Sequence, residues 1–259
     1  MSVLQKATDI VDLVTDSPEP ATLTSIAGRL QQPRSSVHRL LLELVDLGVL
    51  LRVGSAGYVP GPRLSRWSAA QGGVTDLVHL AKSHMARLRD DLGESVHLYV
   101  RQRDRRVCVS AMEGSFELRH FTVVGKPLPL SVGASGKLLL AFADSPTTAQ
   151  ELRRVAREPL TDRAPSVDQL AAQLEEIRRT EWSTSFGERE EGLAAAAAPI
   201  RTAAGDVDAA LSISGPTARL TAERMASLRP RVVGAAHEIS LARGWAVAPK
   251  LLSRAAGGS

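Results

Sequence analysis

The first part of the chain alternates between short apolar stripes of helical spacing and residues that end helices. One stripe predicts a helix over 3–14 with Ser2 as its N-cap, and a second predicts a helix that follows Thr22. A third helix is predicted from Pro33, a residue favoured in a first helical turn, to about Leu47. Only two residues separate the second helix from the third, which is the short turn of a helix-turn-helix.

Two short apolar segments follow the third helix. Residues 49–53 and 57–60 flank a glycine-rich turn, and this pattern predicts a β-hairpin. Three short helices followed by a hairpin are typical of a winged helix-turn-helix, so residues 1–61 are predicted to form a DNA-binding domain of that type. A linker helix is predicted over 62–73, ended by Gly72-Gly73.

The rest of the chain contains segments with the spacing of helices and segments with the pattern of strands. Helices are predicted over 75–92, from Gly133 to about 143, and over 146–157, 167–180 and 221–243. Strands are predicted near 95–101, 106–112, 117–124, 193–200 and 207–214. Helices at both ends around a mostly antiparallel sheet indicate an α+β sensor domain over 74–245, so the chain is predicted to be a two-domain α+β protein. The tail, 246–259, is expected to be frayed.

Composition narrows the class of protein. With 259 residues, 44% hydrophobic and 23% charged, the chain is typical of a globular protein rather than a disordered one. Its single cysteine, Cys108, excludes an internal disulfide and a cysteine-based zinc site. No apolar run is long enough to span a membrane, and the first residues lack the apolar stretch of a signal peptide. We therefore expect a cytoplasmic protein without metal or cofactor.

The third predicted helix contains the clearest candidate chemistry. Residues 1–60 contain five basic and six acidic residues, so bulk charge does not explain DNA binding. The face opposite the apolar stripe, however, has no acidic residue before Glu43 and presents side chains that suit bases and phosphates: Arg34, Ser35, Ser36, His38 and Arg39. Thr24 on the second helix, with Arg52 and Ser55 in the hairpin, completes the candidate DNA-binding set. The alternative is a solvated helix face with two arginines.

Several motifs taken together resemble the IclR family of bacterial transcriptional regulators. They are LQKA at 4–7, PRSSVHRLL at 33–41, YVPGPRL at 58–64, LGESVHL at 92–98, GASGKLLLA at 133–141, EEGL at 190–193, AAPIR at 197–201 and ALSISGP at 210–216. These matches are collinear over about residues 3–243. The resemblance implies a winged helix domain, a linker helix and a GAF-like domain that binds a small effector. It also implies dimers, often paired into tetramers, on palindromic double-stranded operators.

The resemblance implies an organic acid as effector, with its carboxylate on the backbone amides of Ala134 and Ser135. A helix N-terminus offers unpaired N–H groups to an anion. The alternative is a helix start that glycines allow to pack tightly. His120 is a further candidate for the lining of the pocket, on a predicted strand.

The chain departs from the family pattern at the second polar patch of the effector site. Ser185 occupies a position that is often aspartate, and Ala195 one that is often cysteine. Ala195 lies in a run of alanines at 194–198, and these small side chains either widen the pocket or let a strand pack tightly on a helix. Glu188 is a candidate effector contact, while as a group Glu188, Glu190 and Glu191 read as a solvated loop rather than as acid–base catalysts.

Two other functions compete with the sensor. In the first, the chain is a DNA-binding protein whose C-terminal domain only oligomerises, which the departures at 185 and 195 allow. In the second, the C-terminal pocket is that of an enzyme. The sequence itself brings together neither a nucleophile–base pair nor a metal set: His79 and His84, five residues apart, do not share a helical face, and Gly125, Gly133 and Gly136 do not form a phosphate-binding loop.

Overall fold

The computed structural model describes residues 2–69, 73–158 and 160–246, and the chain divides into two compact units between Thr75 and Asp76. The end of the linker helix predicted near 70–72 and nearly all of the predicted tail lie outside the described residues. No helix among the described residues is both long and apolar enough to cross a membrane.

The N-terminal unit has the predicted order of helices and strands. It contains α1 (Val3–Thr15), α2 (Leu23–Leu30), α3 (Arg34–Asp46), the antiparallel strands β1 (Leu50–Val53) and β2 (Gly57–Pro60), and α4 (Pro62–Ala69). Ser2 and Thr22 cap the first two helices. The side-chain oxygen of each accepts a hydrogen bond from the backbone N–H three residues further along the chain. The winged helix-turn-helix prediction is confirmed.

The core of this unit is apolar and formed by the predicted helical stripes. Ile10, Ile26, Leu41 and Leu50 are almost completely buried in it. The chain leaves α2 through Gln31, which adopts a left-handed conformation with φ of 52° and ends the helix before α3 begins. The tight turn therefore holds α3 against α2, with one face of α3 inward and the other outward.

The C-terminal unit is built on one six-stranded antiparallel sheet. Its helices are α5 (Gly73–Leu92), α6 (Ala134–Ala141), α7 (Ser145–Arg157), α8 (Val167–Thr180) and α9 (Ala222–Ala242). Its strands are β3 (Ser95–Gln102), β4 (Arg105–Met112), β5 (Pro127–Pro129), β6 (Ser183–Phe186), β7 (Leu193–Arg201) and β8 (Val207–Pro216), in the sheet order β5-β4-β3-β8-β7-β6. The predicted α+β class and antiparallel sheet are confirmed.

Both faces of the sheet are covered by helices. Val96, Leu98 and Val100 of β3 belong to the core formed with α5 and α9. The alternate residue Tyr99 belongs to a second core formed with α6 and α8. The period of two along a strand thus divides each strand between two separate cores.

The strand predicted at 117–124 is wrong, and two short strands were missed. Residues 117–124 lie outside the sheet, and Leu118, Phe121 and Val124 are exposed. The free edge of β4 pairs instead with β5. At the opposite edge β6 pairs with β7. Edge strands of three or four residues are too short to show an alternating pattern of their own.

The core of the N-terminal unit allows a matched test. Leu41 is fully buried, while its neighbour Leu42 is 43% exposed. We expect Leu41→Ala to destabilise this unit by about 2–5 kcal/mol, because it leaves a cavity, and Leu42→Ala to have little effect. Hydrogen exchange read by mass spectrometry should become faster over 3–60 in the first variant and stay unchanged over 95–240. Wild-type exchange in Leu41→Ala would contradict this assignment of the core.

Candidate functional site

The outer face of α3 presents the polar residues singled out by their spacing. Arg34, Ser35, His38 and Arg39 are exposed and Ser36 is half-buried. The residues between them, Val37, Leu40, Leu41 and Leu44, are buried in the core. Every candidate base or phosphate donor of this helix therefore lies on the side away from its packing face.

The two arginines of α3 each make one weak contact with a neighbouring side chain. Arg34 Nη2 donates to Thr24 Oγ1 at 2.9 Å, which joins the start of α3 to α2. Arg39 Nη1 lies 3.3 Å from the Glu43 carboxylate, one turn along the helix. Exposed pairs of this kind contribute about 0–1 kcal/mol, so Arg39 is easily released.

The hairpin holds the remaining candidates. Arg52 and Ser55 are exposed, and no described residue hydrogen-bonds their side chains. Gly57 has φ of 134°, and a Cβ there would lie 2.6 Å from the Ala21 carbonyl oxygen. This close approach pairs Ala21 with Tyr58 and fixes the base of the wing beside the start of α2.

The C-terminal unit contains a small cavity between the sheet and the start of α6. Five of the six predicted effector residues line it: His120, Ala134, Ser135, Ser185 and Ala195. The cavity has a volume of about 30 Å³. Ser185 and Ala195, the two departures from the family pattern, are direct cross-strand partners on β6 and β7, so they alter one wall together.

The alanine run of β7, residues 194–198, both widens the pocket and allows a strand to pack tightly against helices. Ala195 lines the cavity, whereas Ala194, Ala196 and Ala198 are buried in the core with α9. Ala197 is buried in the core on the other face, with α6 and α8. Small side chains therefore widen the cavity at one position and allow close packing at the rest.

Eight further residues line the cavity and were not predicted as effector contacts. They are His97, Tyr99, Arg106, Gly133, Arg189, Leu193, Ser212 and Ser214. Five of the eight lie in motifs quoted for the resemblance, whereas Tyr99, Arg106 and Arg189 lie outside those motifs. Period-two spacing places 97 with 99, and 212 with 214, on a common side of β3 and β8. That spacing was readable in the sequence, but the helix facing this side was not.

Glu188, the sixth predicted effector residue, lies beside the cavity rather than in its lining. Its carboxylate accepts a hydrogen bond of 2.8 Å from Gly133 N–H and pairs with the buried Lys137 ammonium. The interpretation of this segment as a solvated loop is wrong for Glu188, because the residue is only 8% exposed. Burial lowers the pKa of Lys137, and the carboxylate opposes that shift.

Arg106 lies under the first turn of α6. Its Nη1 donates to the Pro129 carbonyl at 2.6 Å and to the Val132 carbonyl at 2.5 Å. A Cβ at Gly136 would lie 1.8 Å from this nitrogen, so glycine is needed there for the guanidinium to fit. The start of α6, with Gly133 and Gly136, therefore packs tightly against the Arg106 side chain. This is the tight packing that the sequence offered as an alternative to a binding site.

A chain of hydrogen bonds crosses the cavity wall. Arg189 Nη2 donates to His120 Nε2 at 2.9 Å, which leaves the proton of His120 on Nδ1. That proton faces Ser214 Oγ at 2.9 Å, so the Ser214 hydroxyl donates onward to His97 Nδ1 at 3.3 Å. His97 then has its own proton on Nε2, and no described residue accepts it.

This arrangement brings a serine between two histidines, which the sequence alone did not reveal, but it does not activate the serine. A hydrolytic triad needs a basic imidazole oriented by a carboxylate. Here Arg189 stands where the carboxylate would be, and burial with that charge lowers the pKa of His120 to about 4. Burial, with His120 and Arg189 nearby, lowers the pKa of His97 to about 3.

The single cysteine and the possible metal ligands show no sign of reactive chemistry among the described residues. Cys108 is fully buried, as predicted, and burial raises its pKa to about 12. Within the described ranges, no group of three or more histidine, cysteine, aspartate or glutamate side chains is arranged to hold a metal ion.

The buried neutral histidine makes stability depend on pH. Between pH 6.5 and about 3 the unfolded chain binds a proton at His97 that the folded chain does not. The free energy of unfolding should therefore fall with decreasing pH, by about 1.4 kcal/mol per unit for this one group. We expect His97→Gln to flatten that slope between pH 6 and 4 in urea denaturation. Ser212→Ala changes the same wall without removing a titratable group, and a slope flattened equally in it would contradict the assignment.

Comparison with known proteins gives the same division of the chain. Residues 3–54 match the model described as the IclR helix-turn-helix domain, and residues 71–241 match the bacterial transcriptional regulator IclR C-terminal model. Among curated proteins, the regulator BhcR of Paracoccus denitrificans is 33% identical over 92% of this chain and 85% of its own length. The regulator KdgR of Escherichia coli is 30% identical over 86% of each.

Solved structures share the fold. The IclR protein of Thermotoga maritima superimposes with a TM-score of 0.71 at 26% identity, over 93% of this chain and 98% of that one. The C-terminal match alone covers more than half of the residues, and the relatives named above are transcriptional regulators. The chain belongs to the IclR family of bacterial transcriptional regulators.

Proposed function

We propose that this protein is a cytoplasmic, effector-responsive transcriptional regulator that binds a palindromic operator and is switched by a small acid in its C-terminal domain. The outer face of α3 supports this function most directly, because it presents arginine, serine and histidine donors opposite the buried stripe of Val37, Leu40, Leu41 and Leu44. We assign DNA binding to residues 1–61, linkage to 62–73 and effector binding to 74–245.

The α3 face enters the major groove in this proposal. Arg34 and Arg39 suit bidentate contact with guanine, and Ser35, Ser36 and His38 suit bases or phosphates. Thr24 stands beside Arg34 at the edge of the same surface.

The wing adds a second contact. Arg52 and Ser55 are exposed on the hairpin, where they suit the phosphate backbone or the minor groove. A homodimer, or a tetramer made of two dimers, would match an inverted-repeat operator whose half-sites are spaced by helical turns.

The linker helix is suited to carry the effector signal. Arg63 on α4 donates to the Leu47 carbonyl at 2.9 Å and lies over the Trp67 ring at 5.5 Å. Leu64 packs on the core of the N-terminal unit. A shift of α4 would therefore move the DNA-binding unit with it, and the coupling must be reciprocal, so DNA alters effector affinity by the same factor.

The competing function, a DNA-binding protein whose C-terminal domain only oligomerises, differs in one respect. Only a sensor is stabilised by a small molecule through mass action. The cavity beside α6, lined by charged and hydroxyl groups, favours the sensor.

Operator binding is tested by fluorescence anisotropy. The intergenic DNA that flanks the protein's own gene is compared with random DNA of equal length at 50 and 200 mM salt. We expect the flanking DNA to retain tighter binding at the higher salt, because base contacts do not depend on counterion release. Equal binding to both DNAs, lost at higher salt, would contradict an operator at this site.

The role of Arg39 is tested in the same assay. If Arg39 contacts a base, Arg39→Ala should cost about 1–3 kcal/mol on the operator and less on random DNA. Glu43→Gln is the matched control, since it releases Arg39 from its partner and should leave binding equal or tighter. An equal loss on both DNAs for Arg39→Ala would show a phosphate contact instead.

A further inference from the structure

The deepest side chains of the cavity are shut off from solvent. His97, Ser185 and Ser212 line the cavity, and each is 5% exposed or less. The cavity has a volume of about 30 Å³ and a buried water needs about 10–15 Å³, so there is room for roughly two waters. Any larger molecule therefore reaches these side chains only after part of the surrounding wall has moved.

Two of the walls are firmly held. In the sheet, β3 pairs with both β4 and β8, and β8 pairs with both β3 and β7. The start of α6 is held by Arg106, which donates to the Pro129 and Val132 carbonyls, and by the hydrogen bond from Gly133 N–H to Glu188. Movement of either wall would break several hydrogen bonds at once.

The third wall is a strap of chain, residues 113–126, which joins β4 to β5. It contains neither helix nor strand, and within it only Gly114 and Thr122 are buried. His120 is half-buried and is the residue of the strap that lines the cavity. Loops of more than about 12 residues without secondary structure are uncommon in compact domains and are usually functional when they occur.

The first half of the strap is pinned to the rest of the unit. Ser95 Oγ donates to the His120 carbonyl at 2.9 Å, and Arg219 Nη2 donates to the Leu118 carbonyl at 2.9 Å. Arg219 is itself fixed by two hydrogen bonds, of 2.7 and 2.9 Å, to the buried Glu94 carboxylate. The chain is therefore held in place as far as His120.

The second half of the strap is held at fewer points. No backbone group of a described residue hydrogen-bonds the backbone of residues 121–124, and the apolar side chains at 121, 123 and 124 are 43–64% exposed. Thr122 alone is buried, with its hydroxyl 3.4 Å from His120 Nδ1. The next backbone bond joins Gly125 N–H to the Cys108 carbonyl at 2.8 Å. Segments with so few bonds open most easily.

A groove of about 310 Å³ lies outside this loosely held stretch. Its apolar lining comes from four residues: Phe121, Val123, Leu128 and Pro129. Arg189 lines both the groove and the cavity. The Arg189 side chain, with the strap beside it, therefore separates the two spaces.

The contacts of Arg189 allow it to leave the wall. Its Nη2 donates to His120 Nε2 at 2.9 Å and pairs at 2.7 Å with Glu190, whose side chain is 57% exposed. Its Nε is buried and has no hydrogen-bond partner among the described residues. Outward rotation would expose Nε to water and keep Glu190 within reach, so it costs less than movement of the sheet or of α6.

We propose that the Arg189 side chain and residues 121–124 form a gate of the cavity, and that the groove outside them is its entrance. Glu94 and Arg219 are positioning residues of this gate, because they fix the strap as far as His120 and confine the movement to the stretch beyond it. Opening would join the cavity to the groove and make room for a molecule much larger than two waters. This inference rests on the proposed function only in taking the cavity as a ligand site.

The gate is tested by the reaction of a thiol placed deep in the cavity with iodoacetamide, followed on the full chain by peptide mass spectrometry. Ser212→Cys changes one atom of a lining residue that is 2% exposed. The native Cys108 is fully buried and does not line the cavity, so its reaction reports unfolding in the same sample. We expect added Arg189→Ala to speed the reaction at 212 by about 10-fold or more, because fewer contacts then oppose opening, and to leave Cys108 unchanged.

Arg163→Ala is the matched control for this experiment. Arg163 pairs at 2.9 Å with Glu191, in the same loop as Arg189, but its side chain is 60% exposed and does not line the cavity. It should leave the reaction at 212 unchanged. An equal rate at 212 with and without Arg189→Ala would overturn the gate, as would an equal acceleration at Cys108.

Hydrogen exchange of the wild-type chain tests the strap without a substitution. We expect the amides of 121–124 to exchange as fast as those of an exposed loop, while those of 95–100 in β3 stay protected. Slow exchange at 121–124 would overturn the gate, and slow exchange at high protein concentration alone would show instead that a second copy covers this stretch.

The positioning role of Arg219 is tested in the same way. Arg219→Lys keeps the charge but cannot hold Glu94 and the Leu118 carbonyl together, so fast exchange should extend back over 114–120 while 95–100 stays protected. Wild-type exchange over 114–120 in this variant would overturn that role.

Operator binding separates this inference from the proposed function, because neither labelling nor exchange depends on DNA. If the reaction at 212 responds to Arg189→Ala and no specific DNA is bound, the proposed function fails and the gate stands. If the operator is bound and the reaction at 212 does not respond, the gate fails and DNA binding stands.

Discussion

The C-terminal unit depends on the burial of one guanidinium. Arg106 enters the protein from β4 and holds the carbonyl groups of Pro129 and Val132, so it sets the path of the chain just before α6. Its presence there requires glycine at 136, because any Cβ would overlap Nη1. The start of α6, and with it one end of the cavity, is therefore positioned by a charge that forms no ion pair with any residue the structure describes. Burial of an arginine costs several kcal/mol, so the sequence retains an expensive group at this point.

The N-terminal unit follows the opposite principle. Its core is formed by aliphatic side chains together with Tyr58, and the charged side chains of α3 are exposed. The groups on α3 are solvated and weakly paired, so they can exchange water and the Glu43 carboxylate for nucleic acid at little cost. The cavity groups are desolvated and preorganised, so they can select a small ligand strongly. In the proposed function the two units thus serve two kinds of recognition, one of a long polyanion and one of a small effector.

The contacts around Ser214 bear on the enzymatic alternative. Proximity of a hydroxyl to two imidazoles resembles a nucleophile with its base, but the direction of the hydrogen bonds is reversed. Arg189 donates into the chain, so His120 gives a proton toward Ser214 rather than taking one. The same direction makes the wall a sequence of donors that ends at His97, which is useful for binding an acceptor and unsuited to attack on a carbonyl.

The sequence by itself determined the local elements and the face of each helix, because these follow from period, caps and turn residues. The helix-turn-helix, the wing, the order of the main strands and the outward face of α3 were all readable in that way. A resemblance in motifs also located four residues of the cavity lining, and His120 was added to them from a predicted strand that the structure does not contain. Only the tertiary structure decided that Arg106, His97 and Ser214 meet beside Ala134, because period two shows that residues share a face but not what covers it. The strand predicted at 117–124 failed for a related reason: pairing along a sheet edge depends on which segment reaches that edge, and β5 occupies it.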